Sequence, residues 1–179
     1  MLGSSELRAG FSSNESDSPM YTCENIVSRF RDRKRSANMV LCGTDCYADA
    51  QSRGNIKSPF DGNVVCGFDT MEYMLDNTFS KLGIDTDRVD HPLLLTEPLC
   101  NPEYSRGQMN ELLFEAYQVQ SVNYGLDALF SAYANNVRDN GLVVSAGRTT
   151  TAIVPLVQGR GYLDNAKRLS WGGLLASDF

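Results

Sequence analysis

The stretch GLVVSAGRTTTAIVPLVQG, residues 141–159, constrains the fold of this chain more than any other. Leu142 to Val144 is a short apolar run that follows a turn signal, and Thr150 to Val157 is β-branched nearly throughout, which predicts a hairpin. Its turn is Ser145-Ala146-Gly147-Arg148-Thr149. A glycine and hydroxyls at a turn let backbone N–H groups converge on an anion. The turn is therefore a candidate phosphate loop, and an ordinary hairpin with a polar turn is the alternative.

The clearest helix signal covers Asp69 to Leu82. Asp69 with Glu72 suggests a capping box, and Gly83 stops the pattern. The apolar positions recur at helical spacing, which predicts one face buried in the core. These positions are Met71, Met74, Leu75, Thr78, Phe79 and Leu82.

A strand–helix–strand order follows. Leu93 to Thr96 reads as a buried strand, Ser105 with Gln108 suggests the capped start of a helix that runs to Gln118, and Val119 to Tyr124 alternates as a strand. The spacing predicts a βαβ crossover with parallel pairing. A further helix is predicted from apolar residues at helical spacing, namely Leu126, Leu129, Phe130 and Tyr133. A short strand at Gly161 to Leu163 and a turn at Trp171-Gly172-Gly173 are expected after the hairpin.

Composition places the chain among globular proteins. It has 179 residues, 42% of them apolar and 21% charged, which suffices for one sizeable core. The net charge of −6 argues against the whole surface wrapping nucleic acid. No apolar run approaches the roughly 20 residues that span a bilayer, so no membrane contact is expected. Cys42 and Cys46 could form half a metal site, but the single histidine and the lack of a second cysteine pair argue against a metal.

One short basic run stands out in this acidic chain. It could contact DNA phosphates or serve as a nuclear import signal, and a solvated loop face is the alternative. Phe30 is the only aromatic residue within it, so a base-stacking platform is not expected. The cations are Arg29, Arg31, Arg33, Lys34 and Arg35.

Three segments together resemble the actin family. GLVVSAGRTTTAIVPLVQG resembles its second phosphate loop, DHPLLLTEPLCNPEYSRGQMNELLFEAYQ aligns without a gap to an actin segment, and Gly3-Ser4 with Arg8-Ala9-Gly10-Phe11 resembles the end of the first phosphate loop. The resemblance implies an α/β fold of the actin and ribonuclease-H-like kind, limited to its N-terminal half, with a mainly parallel sheet and flanking helices. The implied division has residues 1–20 and 58–140 in a main lobe, 21–57 in a small outer lobe and 141–179 in the truncated start of a second lobe.

The resemblance also implies a degenerate nucleotide site. The family's metal-facing aspartates of the second loop correspond to Ser145 and Arg148, its water-ordering glutamine to Asp127 and its histidine to Ala152. Met1 and Leu2 stand where its first strand delivers an aspartate and an asparagine, so no metal site is expected. The implied phosphate-binding residues are Gly3, Ser4, Arg8, Gly147, Arg148, Thr149 and Thr150.

The implied function follows from these losses. RDRK, YADA, RG, SPFDGNVV and LTEPLCNPEYSR are most similar to a nuclear, actin-related member of the family. That likeness implies a non-catalytic structural subunit of a nuclear chromatin-remodelling complex of the Ino-eighty type. Its partners would be the motor subunit, a small companion subunit, and nucleosomal DNA or histones. The alternative is an actin-like protein that binds and slowly hydrolyses ATP, and ATP or ADP as a structural ligand remains open.

Overall fold

A computed structural model describes residues 1–15, 18–32, 36–86 and 88–177 of the chain. The strands are β1 (Glu6–Ala9), β2 (Tyr21–Glu24), β3 (Val27–Asp32), β4 (Ala37–Cys42), β5 (Ile56–Lys57), β6 (Phe60–Asp61), β7 (Val64–Val65), β8 (Leu93–Glu97), β9 (Val122–Leu126), β10 (Gly141–Ala146), β11 (Thr151–Val157), β12 (Arg160–Gly161) and β13 (Lys167–Leu169). The helices are α1 (Ala50–Arg53), α2 (Phe68–Lys81), α3 (Glu103–Glu111), α4 (Asp127–Ala134) and α5 (Gly173–Ala176). No helix in these ranges is long and apolar enough to cross a membrane.

The predicted βαβ unit is present. β8 and β9 pair in parallel from Leu93–Val122 to Glu97–Leu126, with α3 in the crossover between them. The α/β class is therefore confirmed, whereas the expectation of a mainly parallel sheet is wrong. The other strand pairs in the described part of the chain are antiparallel. Most of them follow connections too short for the crossover that parallel pairing needs.

The second strand of the unit starts later than its alternating pattern predicts. β9 begins at Val122, and Val119 instead closes the preceding helix by donating its N–H to the Leu113 carbonyl at 3.1 Å. Gln118 has a φ of +49°, which breaks the extended backbone there. Val119 is buried, so its apolar side chain packs in the core and is not part of the strand that the alternation predicts.

The helix α2 supplies one wall of the core. Its predicted stripe is buried except for Leu82, which is half-buried, and the helix ends at Lys81, two residues before Gly83, whose φ is +79°. The predicted capping box is wrong, because α2 begins at Phe68 after Gly67 and no side chain caps it. The stripe packs against apolar residues of the βαβ unit and of the loop before it, including Val89, Leu95, Met109 and Leu113.

The helix α3 also begins earlier than predicted. It starts at Glu103 after Pro102, and Ser105 lies inside it, buried, with its hydroxyl donating to the Val65 carbonyl at 2.9 Å. The cap predicted from Ser105 and Gln108 is therefore wrong. A five-residue π-helical turn, Leu112–Ala116, extends α3 and brings Leu113 into the core.

The predicted hairpin is confirmed as β10 and β11, which pair from Gly141–Leu156 to Ala146–Thr151. Its turn is shorter than expected, since Ser145 and Ala146 belong to β10. The helix α4 follows β9 directly, and its fully buried residues are Ala128 and Ala132, whereas the predicted stripe residue Tyr133 is exposed. The expected strand at 161–163 ends at Gly161, and the turn at Trp171 leads into α5.

A small antiparallel sheet forms most of the segment expected to be the outer lobe. Its strand order is β4-β3-β5, and β2 pairs with β1 instead. Arg29 and Arg31 are exposed on one face of β3. The other cations of the basic run, Arg33, Lys34 and Arg35, lie outside the described residues.

Candidate phosphate-binding cleft

A cleft of about 240 Å³ lies between the turn at residues 3–5 and the turn at residues 147–150. Gly3 donates its N–H to the Glu6 carbonyl at 3.0 Å, which closes the first turn, and Gly147 donates to the Thr150 carbonyl at 2.9 Å, which closes the second. The two turns meet, because the Ser4 and Thr149 hydroxyls lie 3.3 Å apart. The structure therefore brings together the two predicted phosphate loops, which are about 145 residues apart in sequence.

The floor of the cleft is the carboxyl end of the parallel pair. Glu97 ends β8, Asp127 directly follows β9, and both side chains line the cleft. Ligands of α/β folds bind outside the carboxyl ends of parallel strands, so the position is the expected one. The Thr96 hydroxyl accepts the Leu2 N–H at 2.8 Å, which fastens the first turn to β8.

The second turn is supported from behind by the start of α5. Gly173 donates to the Gly147 carbonyl at 2.9 Å, and Leu174 donates to the Arg148 carbonyl at 2.8 Å. A Cβ on Gly172 would lie 2.5 Å from the Arg148 carbonyl carbon, so this close approach requires a glycine. The N–H groups of Arg148 and Thr149 donate no hydrogen bond within the described ranges. The turn thus has its carbonyls engaged and two donors left for an anion.

Two of the carboxylates lining the cleft are already paired. Arg8 donates to the Glu6 carboxylate at 2.9 Å, and Arg106 donates to both oxygens of Glu97. The Glu97 carboxylate raises the pKa of the Arg106 guanidinium through these hydrogen bonds. Asp127 is the third carboxylate. Its Oδ1 accepts the Ala128 N–H at 2.7 Å, and its Oδ2 accepts the Ser145 hydroxyl at 3.4 Å.

The lining suits an anion better than a divalent cation. In the described part of the chain, no group of three or more histidine, cysteine, aspartate or glutamate side chains could hold a metal ion. Mg²⁺ needs oxygen ligands in near-octahedral geometry, and two of the available carboxylates are engaged by arginines. The residues present therefore do not fit the metal of an ATPase, whereas N–H groups, hydroxyls and Arg148 are the donors that phosphate oxygens accept.

The predicted phosphate-binding residues gather at this cleft. Gly3, Ser4, Arg8, Gly147, Arg148 and Thr150 line it, and Thr149 contacts Ser4. Sequence reasoning does not identify several further lining residues, among them Thr96 and Glu97. The sequence feature that could have identified Thr96 and Glu97 is their position at the carboxyl end of a buried apolar strand. Of the DNA-binding candidates, the two within the described residues do not line the cleft: the guanidinium carbon of Arg29 lies 5.9 Å from the centre of the Tyr73 ring of α2, and Arg31 is on the same strand as Arg29.

The fold and this cleft define the class of protein to which the chain belongs. Residues 2–178 match the Actin family, and the chain belongs to that family.

Several relatives are similar over almost all of this chain. It is 46% identical to "Actin-like protein arp5" of Schizosaccharomyces pombe and 41% identical to "Actin-related protein 5" of Saccharomyces cerevisiae, in both cases over 99% of this chain and 24% of the relative. It is 37% identical to "Actin-related protein 5" of Homo sapiens over 99% of this chain and 30% of the relative. The chain thus spans 24–30% of the length of these relatives.

Proposed function

We propose that this chain is a non-catalytic structural subunit of a nuclear chromatin-remodelling complex of the Ino-eighty type. Its similarity to proteins named actin-related protein 5, at up to 46% identity, supports the subunit assignment. The charge distribution in the cleft carries the non-catalytic part of the proposal. In this proposal the motor subunit and a small companion subunit are the direct partners, and nucleosomal DNA or histones are reached through the complex.

The cleft argues against phosphoryl transfer for an electrostatic reason. A metal ion that bridges phosphoryl oxygens and a positioned water do nearly all the work in such reactions. At the second turn, where the family resemblance leads us to expect aspartates, Ser145 lies beside Asp127 and Arg148 carries the opposite charge. Losing a single electrostatic group of this kind costs roughly 100- to 1,000-fold in rate.

We therefore expect no measurable ATP turnover by the purified protein. A single-turnover assay with Mg²⁺ and ATP, read as phosphate release against a heat-denatured sample of the same preparation, tests this expectation. Release above that background would favour the alternative of an actin-like protein that slowly hydrolyses ATP. What supports that alternative is the pair of turns, whose glycines and hydroxyls are retained and could still hold the phosphates of ATP.

The structural role has its own test. The complex would be reconstituted with and without this subunit, and nucleosome sliding would be followed together with ATP hydrolysis by the motor. Loss of sliding with hydrolysis largely retained would support a subunit that couples the motor to the nucleosome. Unchanged sliding without the subunit would contradict the proposal.

A basic surface on the small sheet is the proposed DNA contact. Arg29 and Arg31 are two residues apart on β3 and are both exposed, and Arg33, Lys34 and Arg35 follow them in sequence. Each phosphate contact releases counterions, so it contributes affinity without sequence preference.

Replacing Arg31, Arg33, Lys34 and Arg35 by alanine should weaken DNA binding by the assembled complex and flatten its dependence on salt. The slope of log affinity against log salt should fall by about 0.9 for each phosphate contact that is lost. Arg160→Ala, an exposed cation on β12, is a single-charge control for an unrelated surface. An unchanged slope in the fourfold variant would identify the run as a solvated loop.

A further inference from the structure

Strand β10 is an open edge of its sheet. Within the residues that the structure describes, the strand order is β10-β11-β12, with β13 also on β11, so β10 has a neighbouring strand on one side only. Natural proteins usually protect such an edge with charged residues or proline, because its unpaired backbone groups attract another strand. β10 is six residues long, GLVVSA, and contains neither. It therefore lacks these two protections.

The hydrogen bonds of β11 show which backbone groups of β10 point outward. Pro155 has no N–H, and its carbonyl accepts the Tyr162 N–H at 2.8 Å from the side of β12. Pro155 is paired with Leu142, so this pair is one of the non-hydrogen-bonded pairs of the hairpin. Bonded and non-bonded pairs alternate along an antiparallel ladder. The N–H and C=O groups that point away from β11 are therefore those of Leu142, Val144 and Ala146.

The side chains of the same three residues form an exposed apolar row. Leu142 is 62% exposed, Val144 is 59% exposed, and Ala146 is exposed as well. They lie on one face of the sheet, because side chains alternate between the two faces along a strand. A partner strand with its own apolar row would add cross-strand contacts to the backbone hydrogen bonds. The edge thus fits an uncharged, β-branched strand as its partner.

β10 is complementary to itself. In an antiparallel pair centred on Val144, Leu142 of each copy lies opposite Ala146 of the other, so a large side chain faces a small one. Each outward N–H of one copy then meets an outward carbonyl of the other, as a two-fold contact requires. The charges agree with this register, because exposed Asp139 precedes the strand and exposed Arg148 follows it. The pairing brings Asp139 of each copy beside the turn that carries Arg148 of the other.

We propose that β10 is a self-association edge, at which two copies of this chain pair antiparallel and join their sheets across a two-fold axis. A strand of six residues is only about 20 Å long, so the contact is small and the dimer weak, with a Kd on the order of 10 µM. The axis occupies both β10 edges, so the assembly stops at two copies. The inference goes beyond the function proposed above and does not depend on it.

The test is sedimentation velocity of the purified full chain, from about tenfold below to about tenfold above that Kd. We expect a shift from monomer to dimer and no larger species. Val144→Lys places two lysines opposite each other at the axis, so it should raise the Kd at least about 10-fold. Val157→Lys is the matched control, because Val157 is 50% exposed on the same face but lies on β11, and it should leave the Kd unchanged.

The charges at the ends of the strand test the register. Asp139→Arg brings like charges together at both ends of the contact, so it should raise the Kd by roughly 3- to 10-fold, the effect expected of exposed ion pairs. Adding Arg148→Asp to the same chain restores opposite charges and should return the Kd to within about threefold of the parent value. A double variant that associates as weakly as Asp139→Arg alone would overturn the proposed register.

Hydrogen exchange of single backbone amides, followed by NMR, locates the contact in the unsubstituted chain. The N–H groups of Leu142, Val144 and Ala146 should exchange rapidly in dilute samples and be protected in concentrated ones. The N–H groups of Val143 and Ser145 face β11, so they should be protected in both. Protection of the outward groups in a dilute monomer would mean that another segment of this chain covers the edge, and would overturn the inference.

The other outcomes also decide. A monomer over the whole concentration range would overturn the inference, and so would species larger than a dimer, which would mean that the edge aggregates without closing. Equal weakening by Val144→Lys and Val157→Lys would overturn it in favour of sheets packed face to face. Val144 is exposed, so the melting temperature of dilute Val144→Lys should stay within about 2 °C of the parent value. If that variant does not fold, amide exchange in the unsubstituted chain still decides.

Discussion

Two buried regions of this chain are held together by different forces. The main core, formed by α2 and the βαβ unit, is apolar, and Met71, Met74 and Leu113 are fully buried in it. The small sheet β4-β3-β5 is joined to α1 largely by hydrogen bonds: the buried Ser28 hydroxyl donates to the carbonyl of buried Ser52 at 2.7 Å. The first region depends on burial of apolar area. The second places Val27 of β3 in that same core, but on the side that faces α1 it depends on satisfied polar groups.

This difference has a consequence for stability. Apolar burial scales with area and is spread over many contacts, whereas a hydrogen bond contributes only about 0.5–1.5 kcal/mol net, because water competes for the same groups. We therefore expect the small sheet to open locally at a lower free energy than the main core. The predictions below test this contrast, beginning with the largest expected effect.

Leu113→Ala should lower the free energy of unfolding by about 2–5 kcal/mol, the usual cost of a cavity left by a buried leucine. Leu113 has no exposed surface, so the cavity left by its truncation would be closed off from water and surrounded by packed side chains. Phe114→Ala is the matched control, because its neighbouring side chain is 45% exposed in the same π-helical turn. Urea unfolding of both variants measures the difference. Equal losses would mean that the main core is not centred on Leu113.

Ser28→Ala should cost about 0.5–1.5 kcal/mol, the net value of one buried hydrogen bond. The loss stays small because the Ser52 carbonyl keeps a second donor, the Asn55 N–H at 3.0 Å. Ser80→Ala, at an exposed position of α2, should change stability by less than about 0.5 kcal/mol. The same urea assay applies. A loss comparable to that of Leu113→Ala would remove the contrast between the two regions.

The same contrast explains what the sequence could predict. Helix α2 was predicted almost to the residue, because Met71, Met74 and Phe79 repeat at helical spacing and all face one core. The sequence does not predict the small sheet, because Ser28 of β3 and the buried residues beside the sheet, Ser52 and Cys46, follow no apolar periodicity. Helix starts were misplaced for a related reason: Ser105 resembles a cap, but its hydroxyl serves a contact with the Val65 carbonyl.

The cleft was predicted in part. The turn residues Gly3 and Gly147 could be identified, because turn chemistry is local and the family resemblance covers both loops. Their meeting through Ser4 and Thr149 could not be derived from local patterns, since it depends on how the strands pair. The ion pair between Glu97 and Arg106 cannot be derived from local patterns either, although it decides which charges in the cleft remain for a ligand.

The final prediction uses the cysteines to compare the two regions without disturbing either. Cys66 and Cys100 are exposed and should react with iodoacetamide at once at pH 8. Cys46 is buried in the 3-10 helical turn Gly43–Tyr47 that follows β4 of the small sheet, where its thiol donates to the Leu41 carbonyl at 3.2 Å, and Cys23 belongs to the main core. Burial raises the pKa of the Cys46 thiol, so alkylation there requires the site to open first.

We expect Cys46 to be alkylated faster than Cys23, because the small sheet opens without unfolding the core. Ser28→Ala should accelerate the reaction at Cys46 by roughly 2- to 10-fold, the factor that corresponds to the hydrogen bond it removes, and should leave Cys23 almost unchanged. Leu113→Ala should instead accelerate both, since it lowers the free energy of global unfolding. Peptide-resolved mass spectrometry over a time course measures both rates in one sample. Identical rates at Cys46 and Cys23, responding equally to both variants, would mean that the two regions unfold as one cooperative unit.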